Sequence, residues 1–320
     1  MSNFTDDVLG FCYGHLRYIA KRMLLRPIGK PVERQDWAIG IYTGEEPWRI
    51  LPLDGVKNPV LTRRHIRDFK AVFVADPFMI QVGGVWHMFF EVLKKKGWKG
   101  EIALATSSDG RSWKYRGVVL AEPVHLSYPY VFESKGERYM IPESWEAGGV
   151  YLYRAEEFPS KWTRAAALLE SVRLVDTSVF ESGGRWWMFA CSRSGEDWDT
   201  LRLYSAPELT GPWVEHPQSP VISEDMHTAR PAGRVQVNGD KIIRFAQDCS
   251  PKYGLSVSAF EVVELTPERY VERPLVSNPI LGGSGSGWNR HGMHHIDAHR
   301  LADGRWIACV DGWRSLGMRR

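Results

Sequence analysis

This 320-residue sequence has little cysteine, and its pattern excludes the usual cysteine-based sites. Cys12, Cys191, Cys249 and Cys309 are widely separated and form no CxxC pair or other spacing typical of metal ligands. We interpret them as free thiols. The sequence therefore predicts neither a metal site nor a bound cofactor.

The sequence also lacks long apolar runs and a strong net charge. No apolar stretch is long enough to span a bilayer, and the N-terminus lacks the apolar core and cleavage site of a signal peptide. These two absences predict a cytoplasmic location. A formal charge of +3 that appears evenly spread along the chain argues against a nucleic acid partner.

Aromatic residues, in contrast, are abundant. The chain contains 14 Trp, 12 Tyr and 13 Phe. Aromatic side chains are favoured on pleated sheets, and their flat rings also serve as platforms for sugar rings. The composition therefore fits a β-rich protein and is compatible with a carbohydrate ligand.

A short repeat, a turn followed by an aromatic residue that opens a strand, occurs five times at intervals of about 50 to 65 residues. Its aromatic positions are Trp48, Trp113, Trp162, Trp213 and Tyr270. An alternating apolar strand precedes each one, so the repeat predicts five outer hairpins.

Five inner hairpins are predicted around glycine turns at residues 83–84, 136, 183–184, 238–239 and 303–304. The first outer hairpin, at residues 36–52, precedes every inner one, and the last inner hairpin, at 294–312, has no outer one after it. The two chain ends must then complete one blade. The sequence predicts an all-β, five-bladed β-propeller over residues 36–320, with the last blade closed by N-terminal strands.

Residues 1–35 are predicted to form an N-terminal extension. Within it, residues 11–28 have the pattern of a basic amphipathic helix. We expect this helix to pack against the propeller wall; peripheral membrane contact is the alternative.

The inner strands start and end with a set of polar residues on one rim of the propeller. The residues at the strand starts are Asp76, Tyr128, Asp176, Arg230 and Asp297, and those at the strand ends are Glu91, Glu143, Cys191, Asp248 and Asp311. Because innermost strands line the axis, these side chains are expected to converge on one pocket, with Arg230, Arg234, His294 and His295 as the cationic or titratable groups.

Paired carboxylates in a pocket are what acetal chemistry requires, since one must be protonated as the acid and another ionised as the base or nucleophile. A single Asp or Glu at a strand end more commonly caps a turn or pairs with Arg. The catalytic hypothesis therefore depends on the number of carboxylates and on their common rim.

The sequence from Ala75 to Phe78, followed by Trp86 to Glu91, resembles the first blade of the five-bladed furanosidase superfamily of arabinanases, β-xylosidases and invertases. The resemblance implies that Asp76 is the base or nucleophile. The hydrolases usually carry a second Asp where this chain has Tyr128, and a Glu where it has Asp176. Roles for Glu143 and Asp176 therefore rest on rim position alone.

A closer resemblance, over residues 36–312, is to the propeller domain at the N-terminus of glucosamine inositolphosphorylceramide transferases and its bacterial relatives. The matching motifs span residues 127–133, 139–144, 176–180, 229–234 and 247–254. In the plant proteins transfer is credited to a separate C-terminal domain, so the resemblance does not by itself imply transferase activity.

Three functions remain open: a carbohydrate-active enzyme, a non-catalytic glycan-binding propeller, and a scaffold for a partner enzyme. The first is favoured, as a glycosidase-like or glycosyl-transferring enzyme that acts on an intracellular glycoconjugate. Its predicted catalytic residues are Asp76, Glu143 and Asp176, with Asp76 partly solvated and ionised and Glu143 protonated. Its predicted ligands are a carbohydrate or nucleotide sugar, bound by Glu91, Tyr128, Arg230, Arg234, Asp248, His294, His295 and Asp297.

Overall fold

The computed structural model describes residues 32–195 and 197–319, and these residues form five antiparallel sheets and a single 3-10 turn at Trp145–Ala147. In this part of the chain no helix is long and apolar enough to cross a membrane. The predicted helix at residues 11–28 lies outside the described residues, as does Cys12. The other three cysteines are buried and free, as expected.

The five sheets are the five predicted blades. Blade one contains β3 (Ala71–Val82), β4 (Val85–Lys94), β5 (Gly100–Ser107) and β6 (Lys114–Leu120). Blade two contains β7 (Ser127–Ser134), β8 (Glu137–Glu143), β9 (Gly149–Glu157) and β10 (Lys161–Glu170). Blade three contains β11 (Val175–Ser182), β12 (Arg185–Ser194), β13 (Asp197–Ala206) and β14 (Val214–Glu215).

Blade four is more fragmented than predicted. It contains β15 (Arg230–Pro231), β16 (Gln236–Asn238), β17 (Lys241–Asp248), β18 (Ser256–Leu265), β19 (Tyr270–Pro274) and β20 (Leu281–Gly282). Its innermost strand is interrupted between β15 and β16 at Gly233, where a Cβ atom would lie 1.8 Å from the Ile296 carbonyl oxygen of the next blade. Only glycine permits this approach, so the break follows from close contact between neighbouring blades.

Blade five contains β1 (Val32–Glu46), β2 (Arg49–Pro52), β21 (Ile296–Arg300) and β22 (Trp306–Arg319), in the order β2-β1-β22-β21. Strands from the two ends of the chain therefore form one sheet. This arrangement confirms the predicted closure of the ring by N-terminal strands.

In three of the five outer hairpins, the repeated tryptophan is hydrogen-bonded to the turn before it. The indole N–H groups of Trp113, Trp162 and Trp213 donate to backbone carbonyls three or four residues earlier, at 3.2, 2.9 and 3.0 Å. The hydrogen bond satisfies a half-buried indole while its ring packs against the blade. This local bond gives the repeat a physical reason.

The hydrophobic core lies between adjacent blades. Phe78 of blade one, Tyr130 of blade two and Val179 of blade three belong to one continuous cluster of buried side chains. Packing along the inner strands therefore holds their first residues at a common end of the axis.

The chain divides into two units. The larger comprises Trp37–Arg314 and carries every feature of the site below. Of the smaller, the structure describes residues 32–36 and 315–319.

Candidate functional site

Three of the five inner strands begin with the same backbone distortion. Asp76, Tyr128 and Asp176 have positive φ angles of 51°, 44° and 53°. Each lies at a β-bulge, where the register with the neighbouring strand shifts. A left-handed backbone costs a non-glycine residue on the order of 1 kcal/mol, and recurrence in three blades shows that the surrounding fold holds it. The bulge turns these side chains towards the other blades.

Asp176 is the acceptor at the centre of one polar group. The Arg230 Nε–H donates to Asp176 Oδ2, and the Gln247 side-chain amide donates to the same oxygen at 3.0 Å. Arg230 and Asp176 are 8% and 2% exposed, so this ion pair is nearly dry. Burial alone would lower the pKa of Arg230, but the Asp176 charge raises it well above its ordinary value.

Glu143 lies beside this pair, with its carboxyl group close to that of Asp176. Burial raises the pKa of Glu143 well above its ordinary value, and the negative charge of Asp176 raises it further, whereas Arg230 opposes the shift. Two carboxyl groups that lie close together can share one proton. The arrangement therefore favours a protonated Glu143 beside the Asp176–Arg230 pair.

His294 lies between two aspartates in a second polar group. Its Nδ1 is 2.7 Å from Asp311 Oδ1, and its Nε2 is 3.6 Å from Asp76 Oδ1. Asp311 also accepts the backbone N–H of Asp76 at 2.9 Å. Burial lowers the pKa of His294, but Asp311 and Asp76 outweigh burial and raise it, which favours the imidazolium.

The expectation that Asp76 is partly solvated is wrong, and burial disfavours the ionised form that was also expected. Its side chain is buried, and burial raises its pKa well above the ordinary range; Glu91, Asp311 and Asp176 raise it further, while His294 opposes them. Asp76 accepts one hydrogen bond, from the backbone N–H of Tyr128 at 3.3 Å. Its charge therefore depends on His294.

The same three residues could also hold a cation. Asp76, His294 and Asp311 each offer one ligand atom, and these atoms lie within 4.8 Å of one another. Two carboxylate oxygens and an imidazole nitrogen are a common ligand set for divalent metals. The 2.7 Å contact between His294 and Asp311 already serves as a charge-assisted hydrogen bond, so the residues fit either arrangement.

A layer of hydrogen bonds closes the axis beneath these groups. The hydroxyls of Tyr128 and Ser178 donate to the Gly233 carbonyl at 3.2 and 3.0 Å, which joins blades two, three and four. Arg234 Nε donates to Asp297 Oδ1 at 2.7 Å, and the Met79 N–H donates to Asp297 Oδ2 at 2.7 Å. We refer to this layer of hydrogen bonds as the floor of the polar mouth.

Asp297 and Arg234 belong to this floor rather than to the rim. Asp297 pairs with Cys309 in blade five. This pair lies at the same depth in its hairpin as the pair of Phe78 and Phe89 in blade one. Burial would raise the pKa of Asp297, but Arg234 and His299 hold it well below its ordinary value. Both predicted ligands therefore have protein partners, and their substrate-binding role remains a prediction.

His295 is fully buried in the axis and packs edge-on against Phe78 and Tyr128, with ring centroids 4.5 and 5.3 Å away. Within the described part of the chain, neither of its ring nitrogens has a hydrogen-bond partner. Burial lowers its pKa to about 4, so the ring is neutral at pH 7.

Glu91, which pairs with Ala75 across the first hairpin, is also buried at the mouth. Its Oε1 lies 3.2 Å from Nε2 of His125, but without hydrogen-bond geometry. The structure therefore places Glu91 near Asp76, the other predicted site residue of blade one. It also places Glu91 next to His125, which the sequence analysis did not single out.

Asp248 ends β17, but Gln247 rather than Asp248 lies opposite Arg230. Arg230 pairs with Gln247, just as Ser127 pairs with Glu143. Asp248 is partly exposed and contacts Nδ1 of His227 at 3.0 Å. The position along the strand could have identified Gln247. It lies as many residues after Lys241, the first residue of β17, as Glu143 lies after Glu137, the first residue of β8.

Two aromatic residues of the mouth were also missed. The Tyr253 ring lies 5.0 Å from the Arg230 guanidinium and 5.1 Å from the His294 ring, and the Trp37 ring lies 4.1 Å from His294. Tyr253 falls in a matching motif of the sequence, but its place beside Arg230 depends on the loop after β17.

Solved structures with a similar fold include glycoside hydrolases. A thermostable family-43 glycoside hydrolase has a TM-score of 0.56 at 14% identity, covering 82% of this chain and 93% of the other. The catalytic domain of the Coprinopsis cinerea GH62 α-L-arabinofuranosidase has a TM-score of 0.55 at 11% identity, covering 77% and 91%. The chain is therefore a five-bladed propeller with a glycoside hydrolase-like fold.

Sequence comparison places the chain within a family. Residues 30–313 match the family described as "Glucosamine inositolphosphorylceramide transferase 1, N-terminal", and the chain belongs to it. Glucosamine inositolphosphorylceramide transferase 1 of Oryza sativa subsp. japonica is 36% identical over 298 residues, and that of Arabidopsis thaliana 32% over 299. Both alignments cover 87% of this chain but only 40% and 39% of the relatives. The chain thus spans about two fifths of their length.

Proposed function

We propose that this propeller is a carbohydrate-active enzyme whose axial mouth makes or breaks a glycosidic bond by acid–base chemistry. The observation that carries the proposal is the contact between Glu143 and Asp176 beside Arg230. Burial, together with the Asp176 charge, raises the pKa of Glu143, and a raised pKa is what a carboxyl group requires to act as a general acid at neutral pH.

In this mechanism Glu143 protonates the departing glycosidic oxygen. Asp176, held by Arg230 and Gln247, keeps the Glu143 pKa high and is a positioning residue. Asp76 is the base or nucleophile, and because burial raises its pKa, the nearby imidazolium of His294 is needed to favour its ionised form. Tyr253 and Trp37 provide aromatic surface at the mouth, which suits a sugar ring.

The printed names of the relatives support a glycoconjugate substrate, since they describe a transferase of glucosamine to inositolphosphorylceramide. Because the chain spans only part of those relatives, the transfer itself, a nucleotide-sugar donor and an intracellular glycoconjugate acceptor are all parts of the proposal. A cytoplasmic location and peripheral membrane contact through residues 11–28 remain predictions from the sequence.

One observation favours a second function, glycan binding without turnover. Asp76, Glu143 and Arg230 are only 6%, 8% and 8% exposed, so the mouth presents little of its polar surface to solvent. In that case the same groups hydrogen-bond sugar hydroxyls and no bond is cleaved.

The two functions separate in one experiment with Glu143→Gln. An amide retains the shape and neutral charge of the protonated acid but cannot donate a proton to the leaving oxygen. We expect turnover of an active glycoside or nucleotide sugar to fall by at least about 100-fold, with the melting temperature nearly unchanged. The measurement is product formation across a panel of both substrate classes.

Glu133→Gln is the matched control, because Glu133 lies on the same inner hairpin but is exposed and pairs with Arg138. Calorimetric binding of a panel sugar by the wild-type protein, without turnover of any compound, would support the binding function instead. Equal turnover by Glu143→Gln and the wild-type protein would refute the assigned acid.

A further inference from the structure

Positive charge is concentrated on the segment between β2 and β3 and on the turn between β5 and β6, although the whole chain is only mildly basic. Residues 54–70 and 107–116 carry eight Lys and Arg residues against three Asp residues, a surplus that exceeds the +3 of the entire chain. The cationic residues are Lys57, Arg63, Arg64, Arg67, Lys70, Arg111, Lys114 and Arg116. The expectation of evenly spread charge is therefore wrong.

Side-chain hydrogen bonds join the two segments. The guanidinium of Arg111 donates to the Asp54 carbonyl at 2.7 Å, and the Tyr115 hydroxyl donates to Asp68 Oδ2 at 2.7 Å. Asp109 accepts the backbone N–H groups of Arg111 and Ser112, both at 2.8 Å. Asp68 and Asp109 thus have their own partners within the patch, and the bonds from Arg111 and Tyr115 hold its two segments together.

A depression of about 380 Å³ lies between the segments. Lys57, His65, Arg111, Ser112 and Trp113 line it together with apolar and glycine residues, and none of the described lining residues carries a carboxylate. A concave surface with three basic side chains and no acid attracts an anion.

The polar groups of the depression are available to a ligand. Lys57 is exposed and forms no ion pair in the part of the chain that the structure describes. The Thr62 backbone N–H donates to Nδ1 of His65 at 3.0 Å, so the neutral ring carries its proton on Nε2. Lys57 and His65 therefore both offer donors, as a phosphate requires.

Trp113 adds a surface for a ring. Its indole N–H donates to the Gly110 carbonyl at 3.2 Å, which fixes the side chain, and the residue remains half-buried at the wall of the depression. Sugar rings pack against fixed aromatic faces, and the Ser112 hydroxyl can hydrogen-bond a sugar hydroxyl. Cationic groups and an aromatic wall together select a ligand with both a phosphate and a sugar ring.

The depression is separate from the axial mouth. In blade one, β5 begins where Gly100 pairs with Leu93, near the mouth, and ends where Ser107 pairs with Trp86, beside the hairpin turn at the other end. The turn after Ser107 carries Arg111 and Trp113. A ligand here would not compete with one bound in the mouth.

We propose that this depression binds a phosphate ester of a sugar, either as a soluble metabolite or as the headgroup of a phospholipid. The inference does not depend on the function proposed for the mouth. The phosphate contacts Lys57, Arg111 and Nε2 of His65, and the sugar ring packs against Trp113.

Titration calorimetry with glucose 6-phosphate, inorganic phosphate and glucose tests the shared chemistry. We expect glucose 6-phosphate to bind more tightly than either of the other two probes. Lys57→Glu should weaken its binding at least about tenfold, because it removes one charge-assisted contact and adds repulsion. Since Lys57 is exposed, the melting temperature should not change.

Lys96→Glu is the matched control, an identical charge change at an exposed position of blade one but outside the depression. Equal weakening by both variants, or no binding of glucose 6-phosphate at millimolar concentration, would overturn the proposal. Flotation with phosphatidylcholine vesicles, with and without phosphatidylinositol, distinguishes a phospholipid headgroup from a soluble phosphate ester as the ligand. If the protein floats only with vesicles that contain phosphatidylinositol, and Lys57→Glu abolishes flotation, the ligand is the lipid headgroup. If the protein floats equally with both kinds of vesicle and binds glucose 6-phosphate tightly, the ligand is the soluble ester.

Discussion

Asp76 and Asp311 are both buried aspartates in contact with His294, yet their pKa values move in opposite directions. Burial raises both, but Asp311 lies 2.7 Å from the imidazole and accepts the Asp76 N–H, which lowers its pKa overall. Asp76 is 3.6 Å from the ring and close to other carboxyls, so its pKa rises. Distance to a single histidine thus decides which aspartate is ionised.

Replacing Asp311 by Asn should lower the pKa of His294. Burial already lowers it, and the Asp311 charge is the first interaction that opposes burial. We expect the His294 pKa to move from above 6.5, its ordinary value, to below it, as measured by NMR titration of the imidazole. Asp303→Asn, at an exposed turn, should leave the titration unchanged. An unaltered His294 pKa in Asp311→Asn would contradict the assigned pairing.

Because burial lowers the pKa of His295, we expect the folded protein to lose stability in mild acid. Its pKa is about 4 in the folded protein and 6.5 in the unfolded chain, so the unfolded state binds a proton first as the pH falls. The free energy of unfolding should decline between these pH values by on the order of 3 kcal/mol from this residue.

Chemical denaturation at a series of pH values measures the effect. His295→Phe should flatten the decline in this pH window, whereas His227→Gln, at an exposed histidine, should retain it. A His295→Phe protein with the same pH dependence as wild type would show that the ring finds a partner for its proton.

At the scale of the element, the bulges at the starts of β3, β7 and β11 determine what reaches the mouth. Each inserts extra backbone before the regular pairing resumes, at Phe78, Tyr130 and Ser178. β21 pairs from Ile296 to Arg300 with no shift. Asp297 therefore lacks the left-handed backbone of Asp76.

Because Asp76 lies in a bulge, we expect two substitutions at this position to differ in their effect on stability. Asn adopts a left-handed backbone readily and matches the neutral acid that burial favours, so Asp76→Asn should change stability by less than about 0.5 kcal/mol while turnover is lost. Asp76→Val should cost on the order of 1 to 3 kcal/mol, because a β-branched residue is strained at positive φ.

Thermal or denaturant unfolding of the two variants, with activity measured on the same samples, tests this. An Asp76→Asn protein that unfolds as readily as Asp76→Val would mean that the carboxylate is structural. Full activity in Asp76→Asn would remove Asp76 from the mechanism.

At the scale of the whole molecule, ring closure depends on β1 and β2, which complete the sheet begun by β21 and β22. Ile39 and Ile41 of β1 are fully buried in one interblade cluster that also includes residues of blade one. Closure therefore contributes both backbone pairing and core packing.

Deleting residues 1–55 should expose the edge of β22 and remove these buried side chains. We expect an aggregated or non-cooperatively unfolding protein, assessed by size-exclusion chromatography and thermal melting beside the full chain. A soluble truncated protein with a single sharp transition would contradict the role of these strands.

Much of this architecture could be predicted because its signals are local. Glycine turns, apolar alternation and the Trp repeat each act within one hairpin, so their count gives five blades, and their order along the chain requires closure by the two ends. The positions of Asp76, Glu143 and Asp176 at one rim follow from the same local spacing.

Only the tertiary structure decided the register and the charge states at the mouth. A longer turn, where Leu301 bonds to Arg305, places Asp297 in the floor, and pairing across β17 puts Gln247 where Asp248 was expected. Burial and the partners Arg230 and His294 come from other blades, far along the chain, and they determine which carboxyl groups keep a proton. Such effects depend on distances across the axis, which no local sequence pattern encodes.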